Sequence, residues 1–220
     1  MSSSPLLLVP GLNCTAALWR AQVAALGVGR AVQVADHASG DTIATIAAAV
    51  LADAPPRFAL AGLSMGGYVA MEILRVAPGR VTRLCLLDTQ ARADAPEASE
   101  VRRQLIDITE RGGFAKIAAM QYPRLVAPSR IDDVALQQEV RAMADATGPA
   151  RFIAQQKAIL TRIDSRPSLG AIRCPTTVLV GAEDQLTPPD MAAEMAALVP
   201  GARLVTITGA GPLSPIEAPD

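Results

Sequence analysis

Residues 58–67 of the 220-residue chain read FALAGLSMGG, with the pattern G-x-S-x-G at Gly62, Ser64 and Gly66. An apolar, strand-like run changes here into a helix-like pattern. A strand that turns abruptly into a helix strains the backbone of its central residue, and glycines two positions before and after avoid clashes across the turn. The serine hydroxyl then stands at a helix N-terminus, where backbone N–H groups can stabilise an oxyanion. The stretch therefore predicts a nucleophile elbow with Ser64 as the nucleophile.

The sequence on both sides of this stretch alternates between short apolar runs and longer helical patterns. The apolar runs are continuous, which is typical of parallel strands covered on both faces. The predicted strands cover residues 6–9, 31–35, 57–63, 81–87, 176–180 and 202–208. The predicted helices between them cover residues 15–26, 42–54, 65–77 and 189–198. This alternation predicts the α/β class with a doubly wound, mostly parallel sheet.

The sequence predicts a helical insertion between two strands, because the residues between Asp88 and Thr176 contain no strand pattern. The predicted helices of this insertion cover residues 98–111, 113–122, 131–146 and 149–164, with glycine and proline between them. We expect a core made of residues 1–90 and 169–220, and a helical cap at residues 91–168 that lies over the strand ends. A plain helical layer without a gating role fits the same pattern.

The composition excludes several classes of function. Hydrophobic residues make up 50% of the chain and charged residues 19%, which is enough apolar material for a core. The formal net charge is -1 and aromatic residues make up 3%, so no nucleic-acid partner is expected. The N-terminus lacks a signal-peptide pattern, and no apolar stretch is long enough to span a bilayer. We expect a cytoplasmic protein with no membrane partner.

Cofactor chemistry is also not expected from this sequence. The three cysteines lie far apart, and the chain has one histidine, His37, so neither a disulfide framework nor a zinc site is predicted. The pattern G-x-G-x-x-G of dinucleotide-binding proteins does not follow the first strand. The expectation is therefore no metal and no organic cofactor.

The chain resembles small bacterial members of the α/β-hydrolase fold superfamily over nearly its whole length. Besides the elbow, the resemblance rests on residues 8–13, which read LVPGLN and follow the first predicted strand, as the family's oxyanion loop does. Pro10 stands where many members carry histidine. The resemblance implies an oxyanion hole formed by the backbone N–H groups of Leu12 and Met65. Taken alone, the Pro-Gly pair is an ordinary turn that ends a strand.

The resemblance also implies a catalytic acid. Residues 181–189 read GAEDQLTPP, which is similar to the family's acid turn and identifies Asp184 as the triad acid. Asp88, at the end of the fourth predicted strand, occupies the other position where some members carry the acid. An aspartate that only caps a helix or a turn is the alternative for Asp184.

The third triad residue departs from the family pattern. Residues 209–219 read GAGPLSPIEAP, and Pro212 stands where the family carries its catalytic histidine. Proline has no titratable nitrogen and cannot act as a general base. In the strand order that the resemblance implies, His37 follows a strand two positions from the elbow strand, about 10 Å away at the usual strand spacing. We therefore interpret His37 as a loop histidine at the pocket rim, with a role as substitute base as the less favoured alternative.

A second departure concerns the end of the chain, which stops at Asp220 where family members continue into a last helix. We expect apolar side chains of residues 178–180 and 204–207 to be exposed as a result, and this patch to promote association, for example as a homodimer.

The functional prediction is a serine hydrolase that acts on a small carboxylic ester or related acyl substrate and is impaired by Pro212. A non-catalytic member of the same fold that binds a small ligand is the alternative, because the base is missing. The fold by itself does not select the substrate.

Overall fold

In the computed structural model, which describes residues 4–37 and 40–220, six strands form one parallel sheet in the order β2-β1-β3-β4-β5-β6. The strands are β1 (Leu6–Val9), β2 (Val32–Val34), β3 (Phe58–Leu63), β4 (Val81–Leu87), β5 (Thr176–Gly181) and β6 (Arg203–Ile207). All six predicted strands are confirmed to within two residues at either end. Because the strands are parallel, their carboxyl ends meet at one edge of the sheet, where ligands bind in open α/β sheets.

Helices connect the strands and cover both faces of the sheet. They are α1 (Arg20–Leu26), α2 (Ile43–Asp53), α3 (Met65–Val76), α4 (Pro96–Glu110), α5 (Phe114–Leu125), α6 (Val134–Leu160), α7 (Arg166–Leu169), α8 (Pro189–Leu198) and α9 (Ser214–Glu217). The long α6 is interrupted at Gly148, whose φ of 74° is not helical, so its two halves match the two helices predicted there. The α/β prediction is therefore confirmed.

The central strands β1 and β3 are apolar on both faces because helices cover both faces of the sheet. One core cluster packs α2, α3 and α8 on the sheet, and a second cluster lies on the opposite face around Leu8, Trp19 and Leu63. All six residues of β3 are buried, as expected for a central strand that reads as a continuous apolar run. The elbow strand therefore has a rigid position in the middle of the sheet.

The expected exposure of the last two strands is wrong for β5 and holds in part for β6. Val178 and Val180 are fully buried, because α8 packs on this part of β5 through Ala192 and Met195. On β6, in contrast, Leu204 is 44% exposed. The apolar surface is therefore confined to the edge strand.

Between β4 and β5, the described chain contains helices and turns but no strand, as predicted. Helices α4, α5 and α6 pack on one another, and residues from all three line a cavity at the carboxyl edge of the sheet. Within residues 4–37 and 40–220, no helix has both the length and the apolar character needed to cross a membrane.

Candidate active site

Ser64 occupies the sharp turn between β3 and α3, with φ 51° and ψ -114°. A side chain at either flanking glycine would clash with backbone. A Cβ on Gly62 would lie 2.3 Å from the carbonyl oxygen of Gly66, and one on Gly66 would lie 2.2 Å from that of Val9. The turn therefore requires both glycines, as the sequence pattern predicts.

Two hydrogen bonds hold the elbow, one to the end of β4 and one to the loop that follows β4. The backbone N–H of Ser64 donates to the carbonyl oxygen of Leu87 at 2.9 Å, which extends the β3–β4 pairing to the nucleophile position. The hydroxyl of Thr89 donates to the carbonyl oxygen of Ser64 at 2.8 Å. These bonds fix the backbone of a residue in an unfavourable conformation, as such strain requires.

The loop after β1 lies directly against the elbow. A Cβ on Gly11 would lie 3.5 Å from the Cβ of Ser64, so the absence of a side chain permits this contact. Within the described part of the chain, the backbone N–H groups of Leu12 and Met65 donate no hydrogen bond. Two unpaired donors beside a serine are the arrangement that an oxyanion hole requires.

His37 and Gln155 hold this loop from behind, and the sequence prediction of His37 at the pocket rim is wrong. His37 is buried, does not line the cavity, and has its Nε2 3.0 Å from the carbonyl oxygen of Gly11, the distance of a hydrogen bond donated by the imidazole. Gln155 Oε1 accepts from the backbone N–H of Asn13 at 2.9 Å. Burial lowers the pKa of His37. The loop of Gly11 lies against both His37 and the elbow, and the imidazole Nε2 lies within hydrogen-bonding distance of the Gly11 carbonyl and the Gln155 side chain. The imidazole therefore supports the loop.

Asp184 lies at the turn after β5, and its carboxylate is buried and bonded within that turn. Oδ1 accepts from the backbone N–H groups of Leu186 and Thr187, each at 2.8 Å, and Oδ2 accepts from the Thr187 hydroxyl at 2.7 Å. Burial raises the pKa of Asp184, although these hydrogen bonds oppose the shift. The carboxylate has a fixed orientation, which suits either a triad acid or a turn cap.

Asp88 is a second buried carboxyl at the same edge of the sheet. Oδ1 accepts from the backbone N–H of Gly181 at 2.8 Å, and Oδ2 is 2.5 Å from the hydroxyl oxygen of Ser214. Burial raises the pKa of Asp88 to about 8. These two contacts connect the ends of β4 and β5 to the last segment of the chain. The carboxyl group does not line the cavity.

The loop that carries Pro212 is held by the carboxylate of Glu217. Oε1 accepts from the backbone N–H groups of Gly211 at 3.1 Å and Leu213 at 3.0 Å, while Oε2 accepts from that of Ala127 at 2.7 Å. These bonds leave out Pro212, which has no N–H to donate. The loop is therefore anchored on both sides of the predicted histidine position.

The cavity brings the two sides of the site together. It has a volume of about 670 Å³ and is lined by Leu12 and Ser64 on one side and by Thr187 and Pro212 on the other. Asp184 itself lies behind Thr187, outside the lining. Among the described residues, none forms a hydrogen bond with the Ser64 hydroxyl. Met65 contributes its backbone only, since its side chain is buried in the core.

Sequence reasoning missed Gln155 and the loop-anchoring role of Glu217. Gln155 is 142 residues from Asn13 and lies on a helix with no local pattern that marks it. Glu217 belongs to the segment that resembles the family, but the pattern alone does not indicate that its carboxylate holds the loop.

The described residues contain no group of three or more His, Cys, Asp or Glu side chains that could hold a metal ion. The three cysteines are unpaired thiols. Burial raises the pKa of Cys14, which lines the cavity, to about 12, so this thiol is not a reactive nucleophile.

Comparisons with known proteins agree with this geometry. The profile of the alpha/beta hydrolase fold family matches residues 41–219. A thermophilic esterase from Thermogutta terrifontis superposes with a TM-score of 0.90 at 33% identity, over 99% of this chain and 86% of that chain. The enol-lactonase from Burkholderia xenovorans superposes with a TM-score of 0.87 at 25% identity, over 100% of this chain and 88% of that chain.

A curated relative gives the same result at the level of sequence. A pimeloyl-(acyl-carrier protein) methyl ester esterase from Photobacterium profundum is 30% identical over 218 residues, which cover 90% of this chain and 83% of the relative. These relatives support a hydrolase or esterase function at a coarse level. With the profile matching most of its length, the chain belongs to the alpha/beta hydrolase fold family.

Proposed function

We propose that the chain is a serine hydrolase in which Ser64 attacks the carbonyl carbon of a small carboxylic ester or related acyl substrate. The observation that carries this proposal is the backbone of Ser64, held at φ 51° on the elbow that opens into the cavity. Strained residues of this kind cluster at active sites, where the surrounding structure enforces them.

The other residues take roles that follow from their positions. The backbone N–H groups of Leu12 and Met65 would stabilise the oxyanion that forms on the substrate carbonyl. Asp184 would orient a base between itself and Ser64. The Ser64 oxygen would form the acyl bond as the alcohol leaves, and water would then release the acid.

We expect the unchanged chain to have impaired catalysis, because Pro212 supplies no base to take the proton of Ser64. In subtilisin, loss of the triad histidine costs on the order of 10⁶ in turnover. The oxyanion hole and binding alone leave about 10³–10⁴ over water in that enzyme. We therefore expect little turnover, and no build-up of acyl-enzyme, since the first step already lacks its base.

The test is hydrolysis of p-nitrophenyl acetate and p-nitrophenyl butyrate by the unchanged chain and by Pro212→His. We expect Pro212→His to raise the rate by about 10³-fold or more, within the range that a triad histidine contributes. The matched control is Pro212→Gln, which gives a side chain of similar length without a base and should stay at the level of the unchanged chain. Adding Ser64→Ala to Pro212→His should abolish the gain.

The result that contradicts the proposal is a folded Pro212→His protein with an unchanged rate. Folding is checked by circular dichroism and by the thermal midpoint. If the unchanged chain already hydrolyses the esters and Ser64→Ala abolishes that activity, Ser64 is the nucleophile but the predicted impairment is wrong.

A second candidate function is a small-ligand receptor without catalysis, favoured by the absence of a base near Ser64 among the described residues. The cavity and its polar and apolar lining would be retained for binding alone. Tight binding of an ester that remains intact, in both the unchanged chain and Pro212→His, would favour this candidate. The proposed role of the helices at residues 91–168 is the same in both cases: they shape the pocket.

A further inference from the structure

Gln156 and Arg102 form a polar patch in the wall of the cavity, next to apolar side chains. Gln156 is fully buried and lines the cavity. Its Oε1 accepts from Arg102 Nη1 at 2.9 Å, but its Nε2 has no hydrogen-bond partner among the described residues. Around these two side chains the wall is made of Val101, Leu105 and Ile159. A buried donor without an acceptor costs free energy unless a ligand supplies one.

This polar patch of Gln156 and Arg102 carries a positive charge. Arg102 pairs with Asp94 at 2.6 Å, and Arg162 pairs with the same carboxylate at 2.6 Å. The side chain of Arg102 is 20% exposed, whereas those of Asp94 and Arg162 are 5% and 4% exposed. Two guanidinium groups share one carboxylate, so one positive charge remains uncompensated. Arg162 Nη1 also has no partner among the described residues.

The neighbouring charged groups do not cancel this charge, because they balance one another. Arg92 and Arg166 pair with Glu194, and Arg166 also pairs with Asp164. The charged residues of the cavity wall are three arginines and one aspartate, namely Arg102, Arg124, Arg141 and Asp145. The wall as a whole therefore favours an anion over a cation.

The charged cluster lies close to the helix that begins at the nucleophile. Arg162 lies over the ring of Tyr68, 4.4 Å from its centroid, and Tyr68 is one helical turn after Ser64. Tyr68, Ser64 and Arg102 line the same cavity. A substrate whose carbonyl carbon is at Ser64 can thus extend a second group along the cavity towards Arg102.

We propose that the substrate is a monoester of a dicarboxylic acid, whose free carboxylate binds Arg102 and Gln156. The planar guanidinium and the amide N–H supply donors that match the two oxygens of a carboxylate. Arg102 contacts the anion directly, and Gln156 completes its hydrogen bonding while it orients Arg102. This inference rests on the proposed function, because it assigns the substrate class of the same cavity.

The test is a comparison of dissociation constants, measured by calorimetric titration of the Ser64→Ala protein so that no ligand is consumed. The probes are the monomethyl esters of succinic, glutaric and adipic acid. Each is compared with the methyl ester of the unbranched fatty acid that has the same number of acyl carbons. We expect at least one of the acids to bind tenfold or more tightly than its neutral counterpart.

Variants identify the residues responsible. Arg102→Met should remove the preference for the acid while Asp94 stays paired with Arg162. Circular dichroism and the thermal midpoint check its folding. Arg141→Met is the matched control, since Arg141 lines the same cavity but its side chain is 74% exposed. The control should keep the preference. Gln156→Met should weaken binding of the acid several-fold without weakening that of the neutral ester.

The outcomes separate this inference from the proposed function. Equal binding of acids and neutral esters, or no measurable binding of the acids, would overturn the inference, as would equal losses in Arg102→Met and Arg141→Met. The rate of Pro212→His on neutral p-nitrophenyl esters tests the serine chemistry independently. If the acids bind preferentially but Pro212→His gains no Ser64-dependent rate, the subsite is retained and the hydrolase is rejected.

Discussion

On the nucleophile side of the candidate site, formed by the elbow and the loop of residues 10–13, the backbone has the geometry that the proposed acyl transfer requires. Ser64 has the strained backbone, and the N–H groups of Leu12 and Met65 beside it have no acceptor within residues 4–37 and 40–220. On the acid side, formed by the turn of Asp184 and the loop of Pro212, the backbone is held as firmly, by Asp184 and Glu217, but Pro212 supplies no base. In the proposed hydrolase, backbone geometry and the catalytic side chain are therefore separable, because Glu217 holds the loop of Pro212 in place although proline supplies no base.

The largest expected effect is a fall in kcat when Asp184 is replaced in a protein that has a histidine at position 212. In the Pro212→His background, Asp184→Asn should lower kcat by about 10²–10⁴-fold, because the acid acts through the histidine that it orients. In the unchanged chain the same substitution should change the residual rate by less than about twofold, since there is no base to orient. The measurement is p-nitrophenyl butyrate hydrolysis by all four proteins.

Asp190→Asn is the control for that cycle, because Asp190 is exposed in the first turn of α8. An equal loss from Asp184→Asn in the unchanged chain and in the Pro212→His background would show that Asp184 acts only on the fold of its turn.

The next effect tests how rigidly the nucleophile side is built. Gly66→Ala should destabilise the protein by about 3 kcal/mol, because the new Cβ would lie 2.2 Å from the carbonyl oxygen of Val9 and 2.7 Å from that of Pro10. Gly79→Ala is the matched control, since a Cβ there has no atom within 4 Å. Urea unfolding of the two variants measures the difference. Equal stability would mean that the elbow backbone can shift to admit a side chain.

The smallest effect concerns the pH dependence of stability on the acid side. Burial raises the pKa of Asp88 to about 8, whereas an unfolded aspartate titrates near ~3.9. The folded state therefore keeps this proton where the unfolded state has lost it. The stability associated with Asp88 is complete at low pH, below the unfolded pKa, and is lost as the pH rises through about 8.

Asp88→Asn should remove that loss, because the amide can still accept from Gly181 and donate to Ser214. As the pH rises from about 5 to about 9, the free energy of unfolding of the variant should increase by at least ~1 kcal/mol relative to that of the unchanged chain. This corresponds to about 2–4 °C in thermal midpoint for a protein of this size. A parallel pH profile of the two proteins would show that Asp88 is ionised in the fold throughout this range.

The fold and the elbow could be predicted because their signals are local. A continuous apolar run predicts a buried strand, and the spacing of Gly62, Ser64 and Gly66 is set by one turn of the backbone. The break in α6 is equally predictable, since Gly148 precedes a proline. Each of these features depends on neighbours in sequence.

The sequence predictions are wrong where packing between distant segments decides. The strand position of His37 predicts a place at the rim, but the loop of Gly11 folds over the imidazole and buries it. The sequence analysis also predicts exposure of residues 178–180, but α8 covers them. Gln155 and the pairing of Arg102 with Gln156 join segments 54 or more residues apart, and no short pattern encodes such contacts.

The burial of His37 against Gly11 gives the protein an intrinsic spectroscopic probe. Since the chain has one histidine, its imidazole produces a single set of nitrogen and carbon-bound proton resonances that need no assignment by mutation. Their chemical shifts depend on the hydrogen bond to the Gly11 carbonyl, and therefore on the position of the loop beside Ser64. Ligand titrations followed at that one ring would report directly, and without labels other than nitrogen-15, whether occupancy of the cavity moves the loop that carries the Leu12 amide.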